Sequence, residues 1–580
     1  MEGSLVAAPS PFLPPLVRDE QEPCSGPTRP RWRALLEPAL LVLLALTLNL
    51  AGNGRMSLWD RDEPRYAGCV REMRARGDWI HPSFNGEPRY HKPVLIYWLM
   101  RVGVALGGDN PFGARLISAF AGAGTCLLVR ALGRRMLGPR AGMLAALMLA
   151  TAPIMVTESK LATTDATLTF WLVSAQFCLW ELAQRPSWRL AAGFWTLVAL
   201  ATLTKGPVGI AIIASAGVVS WWWGGPTACW SRLRWRWGLA WCLVLVAPWL
   251  VAIGIASHGE FFRFAIGEQV VNRVTSGMEK HHGFPGYYLV TTLGLFHPWS
   301  ALLPAAVLGA WVRRRAHPGF GFLLGWAIGP WIVLECVRTK LVHYYLPAVP
   351  ACALLASWVI AAVVKEQVRL RAWPLGRWAV ALLVGTAVTF VASFLTCAVS
   401  LPAVLRPPLL VLAGAVVVGT VYFLVRIFEG ATERGMYGLV ATWAVVMFTV
   451  GAWLLPAAEP YRTSRIVGER LAALAKERQA QPVLHSYQEP SVVYAYGRPL
   501  PTVRRWSQLQ GLVARHGTIA TAVSPQELAA MLVRPEYDVE RLERLAGYNL
   551  NRGHAEPLEF ILIRENRSAR TARLEQSLIK

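Results

Sequence analysis

Residues 59–97 read WDRDEPRYAGCVREMRARGDWIHPSFNGEPRYHKPVLIY. The stretch follows the first long apolar segment of the chain and is densely charged. Asp62 and Glu63 stand side by side. Arg65 and Tyr66 follow, then an amphipathic run to Arg76, then His91, Lys92 and Pro93. Charge gathered in this way beside apolar segments reads as a loop on a membrane surface. The segment after it, 93–106, decides the topology of everything downstream. It is apolar but short, with Arg101 in its middle.

Working outward, the chain of 580 residues is 54% hydrophobic and only 16% charged, with a mean hydropathy of +0.37. Repeated charge-poor segments near 20 residues make it a polytopic membrane protein rather than a soluble one. Its 26 Trp residues suit interfacial belts. A net charge of +23 would suggest nucleic acid in a soluble protein. Here it reads instead as Lys and Arg collected in short cytoplasmic loops. The nine cysteines show no framework and no metal spacing, since most lie within apolar segments. Residues 1–33 read as a disordered cytoplasmic tail ahead of a retained first helix.

Apolar segments run at 34–52, 112–132, 140–157, 162–183, 189–203, 206–224, 237–256, 287–311, 319–337, 343–364, 378–400, 408–427 and 437–455. Charge settles whether 93–106 joins them. With a cytoplasmic N-terminus and 93–106 lying along the interface, one set of basic loops falls inside. These carry Arg134/Arg135/Arg140, Arg185/Arg189, Arg232/Arg234/Arg236, Arg313/Arg314/Arg315, Lys365/Arg369/Arg371 and Arg426/Arg434. If 93–106 spanned, all of them would fall outside, against the positive-inside rule. Thirteen spans are therefore expected, rather than fourteen.

The expected layout is a membrane domain at 34–455, with external loops at 53–111 and 257–286, and a soluble external domain at 456–580. In that last part, helix patterns at 465–480, 505–515 and 525–546 alternate with β-type runs at 482–486, 491–496, 518–523 and 558–563. A small α/β domain follows from the alternation. No internal repeat is evident, which weighs against a transporter built from duplicated halves.

Ionisable groups at the outer helix ends are the candidates for function. Asp62 and Glu63 suit a general base or a metal ligand, and equally the N-terminus of the helix they open. Asp165 lies in the first turn of an apolar helix, where capping is again an alternative. Lys92, Lys205, Arg65 and Arg273, with Lys340, place positive charge on the outer face. An anionic lipid phosphate explains such charge, and snorkelling to headgroups is the alternative. His281 and His282 point to different faces and lack an obvious third ligand, so no metal site is assigned.

Several stretches together resemble the ArnT/PMT-like membrane glycosyltransferases of the GT-C fold. They are DEPRYA (62–67), RGDWIHP (76–82), NG (85–86), KPVLIYW (92–98), LTKGPV (203–208), EQVVNR (268–273), PGYY (285–288), PW (298–299) and KLVHYYLP (340–347). They cover most of residues 30–350 in order. The resemblance implies transfer of a sugar, hexosyl or pentosyl, from a polyprenyl-phosphate donor to an external lipid A-like glycolipid, protein or glycan, with inversion. It implies Asp62 and Asp165 as the acids and Lys92 and Arg273, joined by Lys205, as holders of the donor phosphate. Glu63, Arg65, Tyr66, His91, Glu268, Lys340 and Tyr344 fall in its pocket. No cofactor is implied as a requirement, although a divalent metal is compatible with the acids. The implied location is a bacterial inner membrane, with the C-terminal domain periplasmic or extracellular. The chain departs from the family at His91, where many members have an acid, and at Gln269, where many have a His. A polyprenyl-lipid transporter or flippase is the alternative class, and it would carry polar residues through the membrane midplane.

Overall fold

The computed structural model describes residues 31–60, 62–265, 267, 283–365, 373–534, 536–549 and 554–566. The chain forms two compact units. One comprises residues 1–53 and 90–456, the other residues 54–89 and 457–580. Residues 54–89, expected as a loop of the membrane domain, thus fold with the C-terminal residues.

The first unit is helical. Among the described residues, eight helices are long and apolar enough to cross a membrane: Pro111–Leu137, Asp165–Gln184, Trp235–Ala256, Pro318–Cys336, Val342–Lys365, Pro374–Ser400, Ala403–Phe428 and Thr432–Tyr461. The pair Pro139–Ala150 and Pro153–Lys160, bent by 57°, passes the same test only when the two are taken together. The bend falls at Pro153, whose ring and missing N–H interrupt the ladder. The other four expected segments are also helical. They form Arg31–Leu50, Trp188–Lys205, Val208–Trp222 and a broken run from Tyr287–Leu295 to Leu303–Arg313. Residues 93–106 form the 13-residue helix Leu95–Gly107, too short to span alone.

Burial separates the roles of these helices. In Val342–Lys365, 89% of the apolar window is covered by protein, against 11% in Pro374–Ser400 and 17% in Trp235–Ala256. The first is a core element. The other two present valines and leucines outward, where lipid replaces protein as the apolar solvent.

Close helix packing rests on small residues. Gly321, Gly325 and Gly329 lie one turn apart on Pro318–Cys336 and meet the Val208–Trp222 helix and the turn after it. A Cβ at Gly325 would stand 2.4 Å from the Ser220 amide nitrogen, and one at Gly329 would stand 2.5 Å from the Ser215 carbonyl oxygen. Lipid gives helices no hydrophobic reason to associate, so this intimate contact is what holds the pair together.

The second unit is α/β. Helix Asp62–Ala75 leads into a two-stranded hairpin, β1 (Ser83–Phe84) and β2 (Glu87–Pro88). Its turn, Asn85 and Gly86, has φ of 58° and 80°, the left-handed pair that a tight hairpin demands. The main sheet comprises β3 (Gln481–Pro482), β4 (Thr518–Val523), β5 (Tyr537–Leu545) and β8 (Leu558–Glu565), in the order β3-β4-β8-β5. A small pair, β6 (Tyr548–Asn549) and β7 (His554–Ala555), stands apart. Strand β8 is buried on both faces. Phe560 and Leu562 join Val467, Leu471 and Val492 on one side, while Ile561 and Ile563 join Leu509, Val513 and Leu528 on the other. That explains its unbroken apolar run.

Two local expectations are corrected. Residues 491–496, expected as a strand, form the helix Pro490–Tyr496. Pro490 sits at its first turn and Gly497, φ 90°, ends it, and these signals outweigh the β-branched pair between them. The helix expected over 525–546 stops at Leu532, and Tyr537–Leu545 pairs antiparallel with β8. Its many charges suit the edge position it occupies.

Gly325→Val should drive a side chain into the neighbouring backbone. A destabilisation of about 1–3 kcal/mol should appear as a lower thermal midpoint in mild detergent, while Gly385→Val, where open space surrounds the Cα, should leave it unchanged.

Candidate functional site

In the first unit, the polar residues gather around Asp165. The Lys205 Nζ, at the end of Trp188–Lys205, lies 2.5 Å from Asp165 Oδ1, with both side chains only 8% exposed. Lys205 also sits 4.9 Å from the centre of the Tyr344 ring. Thr164 donates to Asp165 Oδ2 at 3.3 Å, and Lys92 and His343 lie within electrostatic range of the same carboxylate. Glu158 adds a second buried acid. It accepts from the Thr163 hydroxyl at 3.4 Å and stands 3.9 Å from His343 Nδ1. So Asp165, Lys205, Tyr344 and Lys92 form one set, which Glu158 and His343 extend. The sequence reading missed those last two, and the His343-Tyr344 pair within KLVHYYLP was the signal available.

Other expected residues are placed differently. Lys340 pairs with Glu335 and donates to the Phe284 carbonyl at 3.2 Å. Glu335 in turn accepts from the amides of Gly286 and Tyr288 at 3.4 and 3.5 Å and from the Trp331 indole at 3.2 Å. A carboxylate there satisfies orphan N–H groups at the start of Tyr287–Leu295. Lys340 therefore helps to build that helix end. The His91 ring lies 4.8 Å from that of Phe264. Glu268 and Arg273, with His281 and His282, lie outside the described residues.

Two further buried cations close the first helix. Lys160 Nζ donates to the carbonyls of Ala51 at 2.5 Å and Leu48 at 3.3 Å. Arg115, fully buried, donates to the Asn53 carbonyl at 2.9 Å. Positive charge at a helix C-terminus is favourable, and the last carbonyls otherwise lack donors.

In the second unit, Asp62 opens helix Asp62–Ala75 and is exposed. Glu63 is turned the other way. It is 1% exposed and accepts the Trp59 amide at 2.7 Å. Tyr66 is buried, with the Arg89 guanidinium 5.8 Å from its ring centre, and Arg65 is partly buried.

The residues before Asp62 are held by the C-terminal part of the same unit. Arg462 donates to the carbonyls of Ser57 and Leu58 at 2.7 and 2.6 Å and lies 4.7 Å from the centre of the Trp59 ring. Asp60 accepts from the Ser491 amide at 2.8 Å, from the Ser491 hydroxyl, and from Ser464 Oγ at 3.0 Å. Tyr487 joins at 2.7 Å from Ser464. Burial pushes the Tyr487 phenol above its usual pKa and the Asp60 charge adds to this, so it stays protonated as a hydrogen-bonding group.

Chemically, the first unit offers a buried acid–base pair, an aromatic ring and a further lysine, a set suited to an anionic group. The second offers an exposed carboxylate on a fixed strap. Among the described residues, no three His, Cys, Asp or Glu side chains gather so as to hold a metal ion.

Residues 35–262 match the family model for dolichyl-phosphate-mannose-protein mannosyltransferase. The undecaprenyl phosphate-alpha-4-amino-4-deoxy-L-arabinose arabinosyl transferase of Edwardsiella ictaluri is 33% identical over 337 residues, covering 55% of this chain and 58% of the relative. The protein of that name from Pseudomonas aeruginosa LESB58 is 33% identical over 317 residues, or 51% of this chain and 55% of the relative. The chain thus spans less than two thirds of the length of these curated relatives. In three dimensions it is similar to ArnT from Cupriavidus metallidurans bound to undecaprenyl phosphate, with a TM-score of 0.71 and 22% identity, covering 92% of this chain and 98% of that one. At that identity the likeness establishes the fold, which is GT-C.

Removing one partner of the Asp165–Lys205 pair strands a buried charge, at a cost on the order of 3–5 kcal/mol. Asp165→Asn should therefore lower the thermal midpoint in detergent, and adding Lys205→Met should recover much of the loss. Equal midpoints for wild type and the single variant would contradict the burial of the pair.

Proposed function

We propose, from a chain that is ArnT/PMT-like in sequence and GT-C in fold, that this multi-pass membrane protein is a glycosyltransferase using a polyprenyl-phosphate-linked sugar. The observation that carries the reading is the buried Asp165–Lys205 pair with Tyr344 and Lys92 around it. Such a group holds an anionic leaving group in a dry, fixed setting, where charge stabilisation is strongest.

The mechanism follows from the chemistry of the donor. Polyprenyl phosphate is already a good leaving group, so little acid help is required on that side. Lys92 and Arg273 hold the phosphate, and Lys205, kept in place by Asp165, adds positive charge. As the acceptor oxygen attacks the anomeric carbon, the bond from that carbon to the phosphate oxygen breaks and its electron pair leaves with the phosphate. Attack from the opposite face inverts the centre. Asp62 orients an acceptor hydroxyl and takes its proton. An acceptor that is already a phosphate anion has no proton to give, and Asp62 then orients only.

The finer identity follows the same logic. The sugar is hexosyl or pentosyl, and the acceptor is an external lipid, protein or glycan. On this reading, sugar or acceptor choice changes at His91 and Gln269, the two departures from the family. The protein sits in a bacterial inner membrane, with its N-terminus cytoplasmic and the 457–580 region outside.

Membranes carrying the wild type should transfer sugar from a panel of labelled polyprenyl-phosphate sugars, and Asp62→Asn should lower transfer by roughly 100-fold or more. Equal transfer by the two removes Asp62 from the mechanism, while no transfer by the wild type from any donor favours the transporter class. For orientation, an Arg515→Cys variant, exposed in the C-terminal region, should react with an impermeant thiol reagent in intact spheroplasts. Labelling only after permeabilisation would reverse the topology.

A further inference from the structure

The strap from Ser57 to Glu63 is held nearly residue by residue. The carbonyls of Ser57 and Leu58 accept from Arg462. Trp59 has the Arg462 guanidinium over its ring and its amide on Glu63. Asp60 takes three donors from Ser464 and Ser491. Asp62, two residues on, is exposed and has no hydrogen bond or ion pair among the described residues. A carboxylate with three donors is a firm anchor, because each charge-assisted bond is shorter and stronger than a neutral one.

Two further links fix the rest of the same segment. Asn85 exchanges both side-chain hydrogen bonds with the Leu500 backbone, at 2.9 and 2.7 Å. Arg71 donates to the Tyr494 carbonyl at 2.9 Å and lies 4.0 Å from the centre of that residue's ring. Helix Asp62–Ala75 is therefore tied at its start, its middle and the hairpin after it. All of these ties lead to residues 462–500.

We infer that the C-terminal α/β region is a positioning element for Asp62, with Asp60 as the residue through which Ser464 and Ser491 set the direction of that acid. The inference rests on Asp62 acting on the acceptor, as proposed above. An exposed carboxylate has a defined direction only if its backbone is fixed, and a misplacement near 1 Å is enough to cost about 100-fold in rate. Residues 457–566 thereby gain a function that does not require them to touch either substrate.

The test is a double-mutant cycle on the full-length protein in membranes. Ser491→Ala and Asp60→Ala should lower kcat by roughly tenfold to a hundredfold, while affinity for polyprenyl phosphate, measured separately, stays within about twofold. Asp60→Asn, which keeps an acceptor oxygen, should retain more activity than Asp60→Ala. In an Asp62→Asn background the same substitutions should change the residual rate little, because the group they position is gone. Losses that multiply fully in that background overturn the inference and leave the role of Asp62 standing. An Asp62→Asn variant as active as wild type overturns both. Amide exchange separates positioning from unfolding: it should quicken at 62–66 in Ser491→Ala with 518–523 unchanged, and quickening throughout 463–565 would overturn the positioning account.

Discussion

In an apolar solvent, a helix end with unpartnered backbone groups is the most expensive feature a chain can carry. Much of the charge in the membrane unit answers that constraint. Lys160 and Arg115 serve the carbonyls that follow the first helix. Arg232 donates to the carbonyls of Leu182 and Ala183 at the end of Asp165–Gln184. Glu335 accepts from the start of Tyr287–Leu295 and is neutralised by Lys340. These residues attract attention in a sequence because they are ionisable, yet their work is to finish helices. The Asp165–Lys205 pair stands out against them, since it spends its charge on a partner side chain and an aromatic ring rather than on backbone.

The two acids singled out together in the sequence have opposite environments. Asp165 is enclosed and ion-paired, so it fixes a lysine. Asp62 is open, so it is available to something that arrives. Glu63 shows how local this sorting is. It neighbours Asp62, yet its carboxylate folds back on Trp59 and is buried. A carboxylate pair in sequence becomes one buried group and one exposed group because successive helix residues point about 100° apart.

Hydropathy made the helices legible, since a run of some 20 apolar residues has few other uses. All thirteen expected segments are helical in the structure, and Lys92, Lys205, Asp165 and Tyr344, singled out in the sequence, lie near one another in the first unit. The attachment of residues 54–89 to the C-terminal region was not. Asp60 and Ser491 are 431 positions apart, and a hydrogen bond between distant side chains leaves no periodic mark on either stretch. The glycine stripe at 321, 325 and 329 was readable in principle, because its four-residue spacing is a helix-contact signature, but the hydropathy of the segment masked it. Strand β5 was misread because VERLERL repeats its leucines three residues apart as a helix would. Pairing with β8 overrode that pattern.

That same strand has a consequence for the company the domain keeps. β5 forms one margin of the sheet and carries Asp538, Glu540, Arg541, Glu543 and Arg544 in close succession. Arg478 and Arg564 reach Glu540, and Arg470 reaches Glu543. An incoming extended peptide would have to strip water from these groups and split their pairs before its own backbone could dock. The margin is thus guarded by its own ion pairs. An edge bordered in this way resists being lengthened by unfolded or partly folded polypeptides.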